Sequence, residues 1–212
     1  MTRKLSLQIS IGIALFAGLA AISTGRGEER GRFVGQVVTE WLADGRSMRL
    51  LQPFEYVGPD GKRWPVPTGV LVDGASIPKV FWSLIGAPFS GQYRNASVIH
   101  DYYCDNRMRP YQEVHRVFYA AMLTSGVGEN RAWLMFKAVE EFGPRWEAPK
   151  VDKRCEGSVD FDYELCAQAA RKPLKVIPKL DKAALKRFAD EVGGRAEADD
   201  LNSINAMIES LR

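Results

Sequence analysis

Residues 92–125 read QYRNASVIHDYYCDNRMRPYQEVHRVFYAAMLTS and contain both histidines of the chain, His100 and His115. Apolar and aromatic side chains recur at helical spacing on either side of a short polar segment, residues 106–110. We therefore predict two antiparallel helices joined by a loop. Positions 100 and 115 are almost equally far from the centre of that loop, and a helix rises by about 1.5 Å per residue, so the two imidazoles should lie at the same height. The pair is a candidate for catalysis or metal binding, with packing between the helices as the alternative.

The region before this hairpin is predicted to be β structure. Three runs are rich in Val, Phe, Tyr and Trp, and turn sequences containing Asp-Gly separate them. The runs are residues 33–41, 48–57 and 63–72. A small antiparallel sheet should result. Pro53, Pro65 and Pro67 lack an amide donor, so they should lie on edge strands or at strand ends.

A third helix is predicted from Glu129 to Phe142, stopped by Gly143-Pro144, and it should cover the hairpin. Residues 32–146 then form the core domain, and residues 147–180 form a linker or disulfide-pinned loop. Two short amphipathic helices should follow in residues 181–212, docked on the same chain or on a protein partner. The predicted fold class is α+β: a small antiparallel β-sheet, an antiparallel helical hairpin, a covering helix and a C-terminal helical appendage.

The first residues, 1–23, have the pattern of a secretory signal. Arg3 and Lys4 precede an apolar core at about residues 11–22, and small residues come before a charged run. We expect export to the periplasm or the medium, and an uncleaved N-terminal anchor is the less favoured alternative. The net charge of +3 forms no basic stripe, which argues against nucleic acid as a partner.

The three cysteines are Cys104, Cys155 and Cys166. In an exported chain, one disulfide and one remaining thiol are expected, and the simpler pairing is Cys155 with Cys166. Cys104 lies one helical turn after His100, which suggests a nucleophile with a histidine base. A small buried packing residue is the favoured alternative.

Asp73 lies in a segment dense in Gly and Pro, residues 66–88, which indicates a shaped loop. It could supply a metal-binding carboxylate near His100, with Gly69 and Gly74 permitting close backbone approach. The favoured alternative is a structural Asp-Gly turn, in which the side chain bonds to nearby amides.

A family resemblance rests on several motifs in one order. They are Phe54-x-Tyr56, VPTGVLVDGASIP (66–78), Phe81-Trp82, ASVIHDYY (96–103), VFYAAM (117–122) and AVEEFG (138–143). This order is similar to the phage- and bacterium-encoded family called domain of unknown function number 1353, over about residues 32–146. Membership implies a fold unit and no established activity. That family usually has Asp in an Ala-Asp-x-x-Phe segment after the hairpin loop, where this chain has His115 ahead of Phe118.

A more local resemblance covers about 27 residues. ASVIHDYYC, followed by a polar residue three places before Phe118, resembles the two-helix core of the small secreted phospholipases A2. The resemblance implies that His100 is a general base and that Asp101 is a calcium ligand. Calcium takes about six to eight oxygen ligands, so carbonyls of a glycine-containing loop would also be needed.

His115 changes this chemistry, because a second imidazole orients a histidine base less well than a carboxylate does. Two imidazoles with Asp101 or Asp73 nearby instead favour zinc or another late transition metal. Packing alone is the alternative for both histidines.

Two functional hypotheses follow. In the first, the protein is an exported, metal-dependent hydrolase of ester or cell-envelope substrates, with calcium or zinc as the ion. In the second, it is a non-catalytic envelope module of phage-related origin that binds a protein partner through its C-terminal helices.

Overall fold

The computed structural model of the 212-residue chain describes residues 30–45, 47–74, 81, 91–148, 150 and 173–211. The expected signal segment and the expected Cys155–Cys166 disulfide lie outside these ranges.

Six short strands occur within the described residues. They are β1 (Arg32–Val34), β2 (Thr39–Trp41), β3 (Met48–Leu50), β4 (Phe54–Val57), β5 (Arg63–Val66) and β6 (Leu71–Val72). They form two antiparallel three-stranded sheets, with strand orders β1-β4-β5 and β2-β3-β6. Each of the three predicted β runs is therefore divided into two strands, one in each sheet.

The divisions fall at residues that disfavour a continuous strand. Gly35, after β1, has a φ of 83°, and a Cβ there would lie 2.9 Å from the Pro53 carbonyl oxygen. Pro53 precedes β4 and has no amide to donate to a ladder. Gly69, between β5 and β6, has a φ of 88°. Pro65 lies in β5, an edge strand, as the sequence indicates.

Five helices occur in the described residues. They are α1 (Arg94–Asn106), α2 (Tyr111–Thr124), α3 (Glu129–Phe142), α4 (Lys182–Val192) and α5 (Ala198–Ser210). The predicted hairpin, covering helix and C-terminal helices are all present, so the α+β fold class is confirmed. Arg107 ends α1 in the left-handed conformation, with a φ of 58°, and this conformation turns the chain towards α2.

The core forms where α1 packs against β5 and β6 on one side and against α2 on the other. The remaining helices pack in chain order, α2 on α3, α3 on α4 and α4 on α5. Leu185 and Phe188 of α4 and Ile204 and Ile208 of α5 are buried in the same apolar cluster as Phe142. The apolar stripe of α5 thus docks on its own chain. Within the described residues, no helix combines the length and hydropathy that a membrane crossing requires.

Candidate metal centre

The two histidines meet between α1 and α2. Nε2 of His100 lies 3.0 Å from Nδ1 of His115, which is hydrogen-bond distance. Their side chains are almost fully buried, with exposed fractions of 0% and 1%. The prediction that the imidazoles lie at the same height is confirmed, because their ring nitrogens are in direct contact.

Cys104 is the third member of this cluster. It is fully buried one turn after His100, and its Sγ lies 3.5 Å from Nε2 and 3.7 Å from Nδ1 of His100. One ligand atom from each of His100, Cys104 and His115 lies within 4.8 Å of the other two. The helical spacing from His100 was the signal for this placement, although the sequence favoured a packing role for Cys104.

Two of the three separations in this cluster are close to those of a tetrahedral zinc site. With Zn–N of about 2.0–2.1 Å and Zn–S of about 2.3 Å, tetrahedral angles place two nitrogens about 3.3 Å apart and a nitrogen about 3.6 Å from a sulfur. The observed separations are 3.0 Å for the two nitrogens and 3.5 Å for Nε2 and Sγ. The ligand atoms of Cys104 and His115 lie within 4.8 Å of each other.

His115 is held in its neutral form. Burial lowers the pKa of His115 to about 4, the Arg145 cation adds to this effect, and the Pro144 carbonyl opposes it. Among the described residues, none makes a hydrogen bond of good geometry with its Nε2. A neutral imidazole keeps one nitrogen lone pair, so it can accept a proton or bind a metal at neutral pH.

Aromatic rings surround the two imidazoles. Phe118 lies against His100, with ring centroids 4.7 Å apart, and Tyr111 and Trp146 lie 5.5 Å and 6.4 Å from His115. Trp146 is fixed in turn, because its Nε1 donates a hydrogen bond to the carbonyl oxygen of Arg109 at 2.8 Å. The rings restrict the orientation of both histidines and keep the cluster apolar.

Asp101 has a different structural role from its neighbour His100. Its carboxylate is 2% exposed, and Oδ2 accepts hydrogen bonds from the backbone amides of Asp73 at 3.1 Å and Gly74 at 2.8 Å. Gly74 has a φ of 110°, a conformation that favours glycine. Asp101 therefore anchors the segment that follows β6. Among the described residues, the donor cluster includes neither Asp101 nor Asp73.

Comparison with known proteins places this architecture in a family. The model of the family described as "Protein of unknown function (DUF1353)" matches residues 48–139. The uncharacterized protein y4iH of Sinorhizobium fredii is 31% identical over 210 residues, which cover 99% of this chain and 82% of that protein. The chain belongs to the DUF1353 family.

A second relative has a different length. The uncharacterized protein y4jT of Sinorhizobium fredii is 41% identical to this DUF1353 chain over 138 residues, which cover 64% of the chain and 41% of y4jT. The chain thus spans less than half of y4jT. No solved structure matches the chain. The DUF1353 match includes β3 to β6, α1 and α2 and most of α3, and therefore the whole His–Cys–His cluster.

One buried charge in this DUF1353 domain was missed by sequence reasoning. Arg109, in the loop between α1 and α2, is 1% exposed. Its Nη2 donates to the carbonyl oxygen of Arg63 at 2.8 Å, and its guanidinium lies 4.2 Å from the centroid of the Trp64 ring. Arg109 thereby connects the hairpin loop to β5. Its partners Arg63 and Trp64 are 46 and 45 residues away in the sequence, so no local pattern indicates these contacts.

Proposed function

We propose that this protein is an exported hydrolase of ester or cell-envelope substrates. Its reactive centre is a late transition-metal ion, with zinc as the best fit, held by His100, Cys104 and His115. The observation that carries the proposal is the meeting of three buried donor atoms within 4.8 Å of one another.

The donor set favours zinc by its chemistry. Thiolate and imidazole are ligands that zinc prefers, whereas calcium takes six to eight oxygen atoms. His115 is already neutral near pH 7, because burial lowers its pKa to about 4. The change from the family's usual Asp to His115 thus supplies a ligand.

The number of donors, three among the described residues, supports catalysis. Structural zinc sites are generally closed by four protein ligands, whereas three protein ligands leave a position for water. Zinc lowers the pKa of bound water to about 7 and so provides a nucleophile at neutral pH. Ester hydrolysis by such a water needs no covalent role for Cys104, whose thiolate serves as a ligand.

Calcium at Asp101 is a weaker alternative. Two backbone N–H groups already face Oδ2 of Asp101, at 2.8 and 3.1 Å. Amide hydrogens stabilise a carboxylate but do not coordinate a cation, so this oxygen has the surroundings of a structural anchor.

A second candidate function is a non-catalytic envelope module, with the C-terminal helices as the surface for a protein partner. The burial of the donors favours it, because His100, Cys104 and His115 are at most 1% exposed. In such a module, the metal or the hydrogen-bonded cluster would stabilise the hairpin without any turnover.

The metal is tested first by the zinc content and melting temperature of the purified protein in chelator, zinc and calcium. Any ion that binds only the native state raises its stability, by about 2.7 kcal/mol at a hundredfold excess over Kd. We expect about one zinc per chain and a zinc-dependent rise in melting temperature. Cys104→Ser should lose both. Ser97→Ala, which alters another fully buried polar residue of α1, should keep both. A wild-type protein that no zinc stabilises would refute the metal centre.

Activity separates the two candidates. Zinc-loaded wild-type protein and Cys104→Ser are assayed on a series of chromogenic esters. Zinc-dependent turnover in the wild type and Ser97→Ala, lost in Cys104→Ser, supports the hydrolase. Stoichiometric zinc without turnover on any ester or envelope fraction favours the non-catalytic module.

A further inference from the structure

A cavity of about 670 Å³ lies beside the His–Cys–His cluster. Its walls come from the start of α2, the turn after α3 and the segment before α4. They include the aromatic rings of Tyr111 and Trp146 and the aliphatic side chains of Pro173, Leu174 and Val176. Its size is within the range of about 300–1,000 Å³ that is usual for small-molecule sites.

The cavity is next to the candidate metal centre. Tyr111 and Trp146, which line it, are also ring neighbours of His115, with centroids 5.5 Å and 6.4 Å from the imidazole. One layer of aromatic side chains therefore separates the cavity from a proposed metal ligand. A molecule in this cavity would contact Tyr111 and Trp146, the rings that pack against His115.

The outer wall is fixed by backbone hydrogen bonds. The amide of Arg145 donates to the Val176 carbonyl oxygen at 2.8 Å, and the amide of Val176 donates to the Arg145 carbonyl oxygen at 2.7 Å. This bridge holds the segment that contains Leu174 against the turn after α3. The wall is thus part of the folded structure.

The rim of the cavity is apolar and exposed. Leu174 is 81% exposed, Val176 is 55% exposed and the adjacent Ile177 is 58% exposed. Neighbouring apolar side chains left in water often mark a surface that contacts an apolar ligand. The charged residues that line the cavity are of both signs, Arg145 and Glu147, and Arg145 forms an ion pair with Glu141. The apolar wall therefore sets the preference of the cavity, and it suits the apolar chain of an ester substrate.

We propose that this cavity binds the acyl chain of an ester, as the substrate subsite of the hydrolase. The inference rests on the proposed function and gives it a substrate class, esters of fatty acids. The chain lies between Tyr111, Trp146 and Leu174, and the ester group lies towards His115.

The test measures binding of dodecanoate, below its micelle concentration, to metal-free protein in chelator. Isothermal titration should show saturable binding. Leu174→Asp should weaken it at least about tenfold, because a carboxylate replaces an apolar contact and repels the anion. The matched control is Leu71→Asp, which makes the same change at a half-exposed leucine of β6 that does not line the cavity. This control should bind as the wild type does, provided that both variants keep the wild-type circular dichroism.

Other outcomes overturn the inference. Absence of saturable binding, or equal weakening by Leu71→Asp, would show that the cavity is not an acyl site. Binding only to anionic phospholipid vesicles, with none to monomeric dodecanoate, would show adsorption to a membrane surface instead. Cys104→Ser should bind dodecanoate normally. Loss of the metal centre and loss of the acyl subsite are therefore separate results.

Discussion

At the scale of single residues, His115 should make the stability of the metal-free protein depend on pH. Its pKa is about 4 in the folded state, because of burial, and about 6.5 in an unfolded chain. Between these values the unfolded state binds the additional proton, so the free energy of unfolding should fall as the pH falls from 6.5 to 4. The full difference is of the order of 3 kcal/mol. Urea unfolding in chelator across this pH range measures it.

The control for this prediction is His115→Asn, which has a polar side chain that does not titrate. This variant will be less stable at pH 7. Its free energy of unfolding should fall less between pH 6.5 and pH 4 than that of the wild type. An identical pH dependence in both proteins would show that other groups, and not His115, bind the protons.

The candidate site was partly predictable from the sequence. Helical periodicity and the position of the loop placed His100 opposite His115, and the four-residue spacing placed Cys104 beside them. Asp101 was found as a neighbour of His100, but its amide partners at Asp73 and Gly74 lie 28 and 27 residues away. Such contacts depend on how the sheet packs on α1, which local patterns do not encode.

At the scale of elements, the helices were more predictable than the strands. Each helix has a clear apolar period and clear ends, and α3 occupies the predicted residues 129–142. The β runs are rich in Val, Phe, Tyr and Trp on both sides of each break, and this composition does not show where a strand bends. Gly35 and Pro53 were the local indications of the breaks, and the division into two sheets depends on packing against α1.

The end of α1 provides a prediction at this scale. Arg107 has a φ of 58°, its amide donates to the Tyr103 carbonyl oxygen at 2.9 Å, and its buried Nε has no partner among the described residues. A side chain in the left-handed conformation is strained, and glycine is not. Arg107→Gly should therefore stabilise the protein by about 0.5–1 kcal/mol, measured as a rise of a few degrees in melting temperature.

Arg107→Ala distinguishes the backbone from the side chain. Alanine removes the guanidinium but keeps the Cβ, so Arg107→Ala should stabilise the protein less than Arg107→Gly does. Equal stabilisation by both variants would mean that the buried Nε, and not the left-handed backbone, is the cause. A lower melting temperature for Arg107→Gly would show that contacts of the arginine side chain outweigh the strain.

At the scale of the whole molecule, the C-terminal helices extend the core built by the hairpin. The ring of Phe188 in α4 packs against Phe81 and Phe142, with centroids 5.6 and 5.5 Å apart. The sequence indicated amphipathic helices here, but periodicity identifies an apolar face without identifying the surface that covers it. The expected boundary at residues 147–180 stays a prediction, and cooperativity of unfolding can test it.

Phe188→Ala tests whether α4 unfolds together with the hairpin. Phe188 is 1% exposed, and its truncation should cost about 3–5 kcal/mol. Lys186→Ala, at an exposed position of the same helix, should change stability by no more than about 0.5 kcal/mol. If the helices and the hairpin form one cooperative unit, Phe188→Ala shifts the whole urea transition, and tryptophan fluorescence and far-ultraviolet circular dichroism shift together. The tryptophans all precede α4. A shift in circular dichroism with an unchanged fluorescence transition would instead show that the C-terminal helices unfold as a separate unit.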